Sequence, residues 1–228
     1  MLTYFKRSRS SSGNALVLRS LVRSRGFTLV ELLVVVAVIT IITGFLLFNQ
    51  NKFNSSTLMR SLAYSVGLSI RQAQLYGVSV RGFGTGAAPT FANGYGVYFS
   101  NPSTFTLFAD TNNNGAYNAG EGLSGVGGVL ISIGRGYTIG KFCAVSSGGQ
   151  QDCYPSGGTG VLSDMTIYFR RPNPDAAFSA TCTGSCASSY TSAYVQLVTT
   201  GSTDTRSIKV TNAGQINVCP LNTEPPSC

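Results

Sequence analysis

From Phe27 to Phe48 the chain is almost uninterruptedly apolar, with one ionisable residue, Glu31, and no proline. At about 1.5 Å of rise per residue this run is long enough to cross a hydrocarbon core about 30 Å thick. The pattern predicts a membrane-spanning helix. Beyond it, in "STLMRSLAYSVGLSIRQAQLYG", Leu58, Leu62, Val66, Ile70 and Ala73 recur at spacings of three and four with polar residues between them. That is the signature of a helix with one buried face. Ser55, Ser56 or Thr57 is the expected N-cap, and Gly77 closes the pattern. From residue 94 the period changes to two. "GYGVYFS", "TFTLFAD", "GVLISIG", "GYTIGKFC", "DMTIYFRR", "AYVQLVTT", "RSIKVT" and "GQINV" are short β-branched or aromatic runs separated by Gly, Asn, Pro and Ser. They predict an antiparallel sheet with hairpins. The fold class is therefore α+β: a long N-terminal helix, half transmembrane and half amphipathic, packed on an antiparallel β-sheet head. Its segments are 1–26, 27–48, 49–77 and 78–228.

Charge sharpens this picture. The chain has 228 residues and a formal charge of +8, but Lys6, Arg7, Arg9, Arg19, Arg23 and Arg25 all precede Gly26, with no acid among them. Without those six, ten basic residues face eight acids, a net of +2. The basic character belongs to the first segment. A positive flank before the apolar run places residues 1–26 in the cytoplasm and the head outside. The run lacks the small-residue exit of a cleaved secretory signal.

Glu31 then needs a reason, because a carboxylate within an apolar span is costly and is normally partnered. It could reach water at the cytoplasmic end. Alternatively, a cut between Gly26 and Phe27 would create a free ammonium, and Glu31 of one chain could neutralise that of a neighbour in a bundle of staggered helices.

"RGFTLVELLVVVAVITII" resembles the cleavage and methylation segment of type IV prepilins and of the pseudopilins of type II secretion. The resemblance implies that a membrane aspartyl peptidase cuts after Gly26, that Phe27 becomes the N-methylated terminus, and that Glu31 guides docking into a filament. It also implies a pilin-like fold, with other pilin or pseudopilin subunits, the prepilin peptidase and methylase, and the membrane as partners. Many major pilins carry a proline where this chain has Phe48, and the leader of 26 residues is long for the family. The helix after the anchor, followed by "VSVRG", is similar to the GspH/FimT-type minor subunits, as are "ADTNNNGAYNAGE", "IYFRRP", "AYVQLV" and "RSIKVTNAGQINV". Residues 172–192 read as an insertion. Some FimT-type subunits act in DNA uptake through basic C-terminal residues. Arg170, Arg171, Arg206 and Lys209 are the corresponding candidates for DNA contact, and such binding would weaken with salt.

"DTNNNGAYNAGE" places Asp110, Asn112, Asn114, Ala116, Asn118 and Glu121 at the spacing of a twelve-residue calcium loop. Asn- and Gly-rich segments are also ordinary hairpin turns, and only two formal charges are present. No cofactor is required; a calcium ion is the one candidate. Cys143, Cys153, Cys182, Cys186, Cys219 and Cys228 all follow the membrane segment, and an even count in an exported domain predicts disulfides. Fifteen pairings are open. The sequential one, Cys143 with Cys153, Cys182 with Cys186 and Cys219 with Cys228, needs only local loops. With no histidine and no CxxC pair, zinc ligation is disfavoured, and Ser-His-Asp and Cys-His chemistry is excluded. The chain is expected not to be an enzyme. A non-polymerising, signal-anchored surface protein is the remaining reading.

Overall fold

The computed structural model describes residues 26–79, 82–83, 90–91, 94–121, 129–134, 136–155, 160–199, 204–223, 225 and 228, without the side chains of 48–54, 83 and 90. The basic leader, residues 1–25, lies outside the described residues. The apolar run and the amphipathic run form one helix, α1 (Leu29–Val78). The expected cap at Ser55–Thr57 is therefore not a helix start. No glycine or proline occurs between Phe45 and Val66, so nothing stops the backbone hydrogen-bond ladder there.

The chain divides into two compact units, 1–49 and 50–228. In the first, Leu29–Leu47 is a 19-residue stretch long and apolar enough to cross a membrane. Its large side chains are exposed, Ile41 by 72% and Phe45 by 70%. In water such a surface would be strongly unfavourable; in lipid it needs no protein partner.

In the second unit α1 buries Met59, Ala63, Val66, Ile70 and Ala73 completely. The spacings of four, three, four and three make a single stripe. Leu58 and Leu62, expected at its centre, are partly buried at its flank. Gly77 does not act as a C-cap. A β-carbon there would stand 2.6 Å from the Phe169 carbonyl oxygen, so glycine is what lets α1 approach the sheet backbone.

The strands are β1 (Gly82–Phe83), β2 (Thr90–Phe91), β3 (Gly94–Phe99), β4 (Thr104–Asp110), β5 (Val129–Ser132) and β6 (Tyr137–Val145). They continue with β7 (Gln151–Tyr154), β8 (Gly160–Arg170), β9 (Ala176–Gly184), β10 (Ser192–Thr199), β11 (Thr205–Thr211) and β12 (Ile216–Val218). β1 and β2 pair with each other; the other ten form one curled sheet. It consists of two antiparallel runs, β9-β8-β3-β4-β5 and β12-β11-β10-β6-β7. A short parallel ladder joins them, Asp152 opposite Gly160 and Cys153 opposite Val161, so the sheet is not wholly antiparallel. Both runs and the α1 stripe feed one core containing Val97, Leu107, Phe142, Ile167, Val195 and Ile208. Phe99 and Phe142 bring the runs together at a ring separation of 6.5 Å. In β8 a bulge between Leu162 and Asp164 shifts the alternation by one, so that both Leu162 and Met165 reach the core. The segment 172–192 that read as an insertion supplies β9, an edge of the sheet.

Candidate functional site

The first turn of α1 is set by Thr28. Its hydroxyl oxygen accepts the Glu31 N–H at 3.2 Å and its carbonyl accepts the Leu32 N–H at 3.1 Å. Thr28 is the N-cap, and Thr28-Leu-Val-Glu31 has the spacing of a capping box. Glu31 is thus also a first-turn acid, favoured by the positive end of the helix dipole. The sequence carries this signal in its T-x-x-E pattern, which the reading of Glu31 as a docking group alone passes over. Phe27 is 81% exposed, and nothing lies within 4 Å of the position of a Gly26 β-carbon. The Gly26–Phe27 bond therefore lies in open, non-helical backbone immediately before α1.

The segment 110–121 folds over the outer face of β3, β4 and β8. The Tyr117 ring packs on Tyr98 at 4.7 Å and on Phe108 at 5.3 Å. Gly115, at φ +72°, lies so close to the Tyr168 ring that a β-carbon would collide with it. Two buried carboxylates close the loop. Asp110 accepts the Asn114 N–H at 3.1 Å and the Gly115 N–H at 2.9 Å. Glu121 accepts from the Thr111 N–H, the Thr111 hydroxyl, the Asn112 N–H and the Asn118 N–H, at 2.8–3.4 Å. The amides of Asn112 and Asn114 turn their N–H groups, not their oxygens, toward Asn118 Oδ1, at 2.9 and 2.7 Å. Their oxygens accept the N–H groups of Asn114 and Ala116. The three asparagine side chains thus bond to one another and to the loop backbone. Among the described residues no cluster of three or more His, Cys, Asp or Glu side chains is placed to hold a metal. As a hairpin lock, the loop is expected to lose about 1–3 kcal/mol in Glu121→Gln, because buried donors lose their acceptor. Thermal melts with and without calcium check this; a calcium-dependent rise in wild-type stability that Glu121→Gln lacks would establish ligation instead.

The cysteines pair sequentially. Cys143 and Cys153 face each other directly across β6 and β7 with Cα atoms 4.1 Å apart. Cys182 pairs with Cys186, and Cys219 with Cys228, at Cα separations of 6.4 and 5.6 Å. Next to Cys153 sits Asp152, which no sequence pattern marked. It is fully buried and receives four donors: the Gly160 N–H at 2.9 Å, Gln150 Nε2 at 3.1 Å, the Ala187 N–H at 2.8 Å and the Tyr190 hydroxyl at 2.9 Å. Burial pushes its carboxyl pKa up, but the four hydrogen bonds outweigh burial and hold it below the usual value. Burial and the neighbouring carboxylate push Tyr190 up to about 12. Asp152 ties the β7–β8 joint to the loop that Cys182–Cys186 closes.

The four basic candidates fall on two strands and one turn. Arg170 ends β8 and donates to Asn113 Oδ1 at 3.3 Å; Arg171 follows it in a turn. Arg206 and Lys209 lie on β11, four strands away along the sheet order. Arg206 shares the face of Ile208 and Val210 and donates to the Cys219 carbonyl at 3.0 Å; Lys209 is on the opposite face. Arg206 serves the tail.

An apolar, capped N-terminal helix with one first-turn carboxylate, continued into an α+β head, defines a membrane-anchored, pilin-like class of protein. Residues 21–47 match the family described as the prokaryotic N-terminal methylation motif. With the apolar helix, the match supports a type IV prepilin-like protein, a structural rather than enzymatic class whose partners are in general other pilin subunits and prepilin peptidase. No curated protein and no solved structure matched the chain.

Proposed function

We propose that the chain is a minor pilin or pseudopilin subunit of the GspH/FimT type, stored in the membrane and built into a type IV pilus or type II secretion pseudopilus. The observation that carries this reading is the run from Gly26 to Glu31: an exposed junction, a capped helix start and a first-turn carboxylate inside the methylation motif. Cutting after Gly26 leaves Phe27 and Thr28 ahead of α1. The new ammonium then lies at the positive end of a helix, where it is disfavoured. Glu31, the one carboxylate of the span, offsets it. A group that neutralises a neighbour's ammonium in lipid is worth most when the two helices are staggered, so it selects both partner and register.

Intact-mass and N-terminal analysis of the protein from membranes that contain prepilin peptidase is the test. The expected product begins at Phe27 and carries one added methyl group. Glu31→Ala is expected to be cut at the same bond yet to be missing from the filament fraction. A chain that keeps Met1, or is cut elsewhere, would sink the reading and leave a signal-anchored surface protein.

A further inference from the structure

Among the described residues of α1, Gln74 is the one polar side chain that is buried, at 6% exposure. A buried amide is costly unless its hydrogen bonds are made, and here both of its ends are engaged. Nε2 donates to the Pro174 and Gly214 carbonyls, each at 2.9 Å, and Oε1 accepts from Arg71 Nη1 at 2.7 Å. Arg71 thereby fixes which end of the amide faces the two carbonyls.

Those carbonyls belong to different turns. Pro174 lies between β8 and β9 and Gly214 between β11 and β12, and β8 and β11 are four strands apart in the sheet order. The curl of the sheet brings the turns into contact all the same. The Ala176 N–H donates to the Asn212 carbonyl at 2.9 Å, the Asn212 N–H to the Thr191 carbonyl at 2.8 Å, and the Thr191 N–H to the Val145 carbonyl at 2.8 Å. This row passes from the start of β9 through the β11–β12 turn and the start of β10 to the end of β6. The two runs that meet at the β7–β8 seam therefore meet a second time here. A β-carbon at Gly214, φ +75°, would collide with the Pro174 carbonyl oxygen and stand 2.6 Å from Gln74 Nε2, so amide and turns are packed as closely as glycine permits.

We propose that Gln74 is a latch by which α1 holds this second joint shut, so that closure of the curled sheet is conditional on the seating of the helix. Across the joint the backbone supplies the bond from Ala176 to Asn212; the amide adds one bond to each side. It reaches both only while α1 lies against the sheet, at the close approach that Gly77, one turn further on, permits. Lifting α1 withdraws both donors together. Each run keeps its own antiparallel ladders in that event, so the joint opens without unfolding either. The latch belongs to the head and is independent of cleavage and assembly.

The test is hydrogen exchange of the full chain in detergent micelles, read at the Ala176 amide and at the amides of β3, a strand paired on both sides. In the wild type Ala176 is expected to exchange through an opening smaller than global unfolding, with a weaker dependence on added denaturant than β3 shows. Gln74→Met should speed that opening roughly tenfold to a hundredfold, the loss of two hydrogen bonds. Gln74→Glu, which keeps the size of the side chain and the Arg71 contact but has no donor, should do the same. Gly77→Ala, which lifts α1 and leaves Gln74 in place, should speed it too, and Gln74→Met should add little in that background because the latch is already released. Three outcomes would overturn the proposal: a wild-type Ala176 amide that exchanges only with β3, an opening rate unchanged in both Gln74 variants, or effects of Gln74→Met and Gly77→Ala that simply add.

Discussion

Asp152→Asn is expected to lower the melting temperature of the head by roughly 6–12 °C, from a loss of about 3 kcal/mol. All four groups around Asp152 are donors. An ionised carboxylate accepts from every one of them, whereas an amide offers one oxygen and brings an N–H₂ group into a fully buried pocket. The wild-type pH profile carries the same signature. Because the folded carboxyl titrates below its unfolded value of about 3.9, its contribution is complete above that pH and disappears as pH falls through the folded pKa. Tyr190 works at the other end. Its folded pKa of about 12 lies above the unfolded value of about 10, so its contribution is complete below pH 10 and is lost as pH rises toward 12. Melting curves of wild type, Asp152→Asn and Tyr190→Phe across this range check both limbs. An Asp152→Asn protein with wild-type stability near neutral pH would refute the assignment.

Gly77→Ala should destabilise by about 1–3 kcal/mol, although alanine is the better helix former by about 1 kcal/mol. The added methyl would stand 2.6 Å from the Phe169 carbonyl oxygen and 2.9 Å from its carbonyl carbon. Backbone on both sides leaves no soft atom to move, so α1 must lift from the sheet. Gly67→Ala is the matched control. There the new β-carbon meets a Val218 methyl at 3.5 Å, an ordinary contact, and the helix preference should show as unchanged or raised stability. Chemical denaturation of the two variants, compared at equal slope, separates steric cost from propensity.

These residues show what could be read from the chain. Thr104–Asp110 and Gly94–Phe99 stand out in sequence because aromatic and β-branched residues alternate inward and outward, and both became strands. β9 was unreadable because "AAFSATCTG" has one large apolar residue; its pairing is imposed by β8, not by its own preference. Val66, Ile70 and Ala73 are buried as their spacing predicts, but at the start of the stripe Met59 and Ala63 replace Leu58 and Leu62, because adjacent apolar residues leave the packing to decide which of two faces is covered. At Gly77 the sequence showed a glycine near a helix end, which fits a cap as well as a close approach. Asp152 carried no signal: its partners at 160, 187 and 190 meet it only after long-range pairing. The methylation motif was legible because its pattern is local, from Gly26 through Glu31 into the apolar run.

The ladder registers also set an order of events. The disulfides close loops of ten, four and nine residues, while β3 meets β8 with Val97 opposite Ile167, seventy positions on. Short closures cost little chain entropy and are fast; distant pairings are slow. In an oxidising compartment the covalent links can therefore form while the head is still open. The slow steps are the distant pairings, β3 with β8 and β6 with β10, whereas β8 and β9 are joined by a short turn and pair early. The β8–β9 hairpin and the oxidised loops would thus stand ready before β3 and β6 find their distant partners, and the pieces left to search for one another would be few and already stiff.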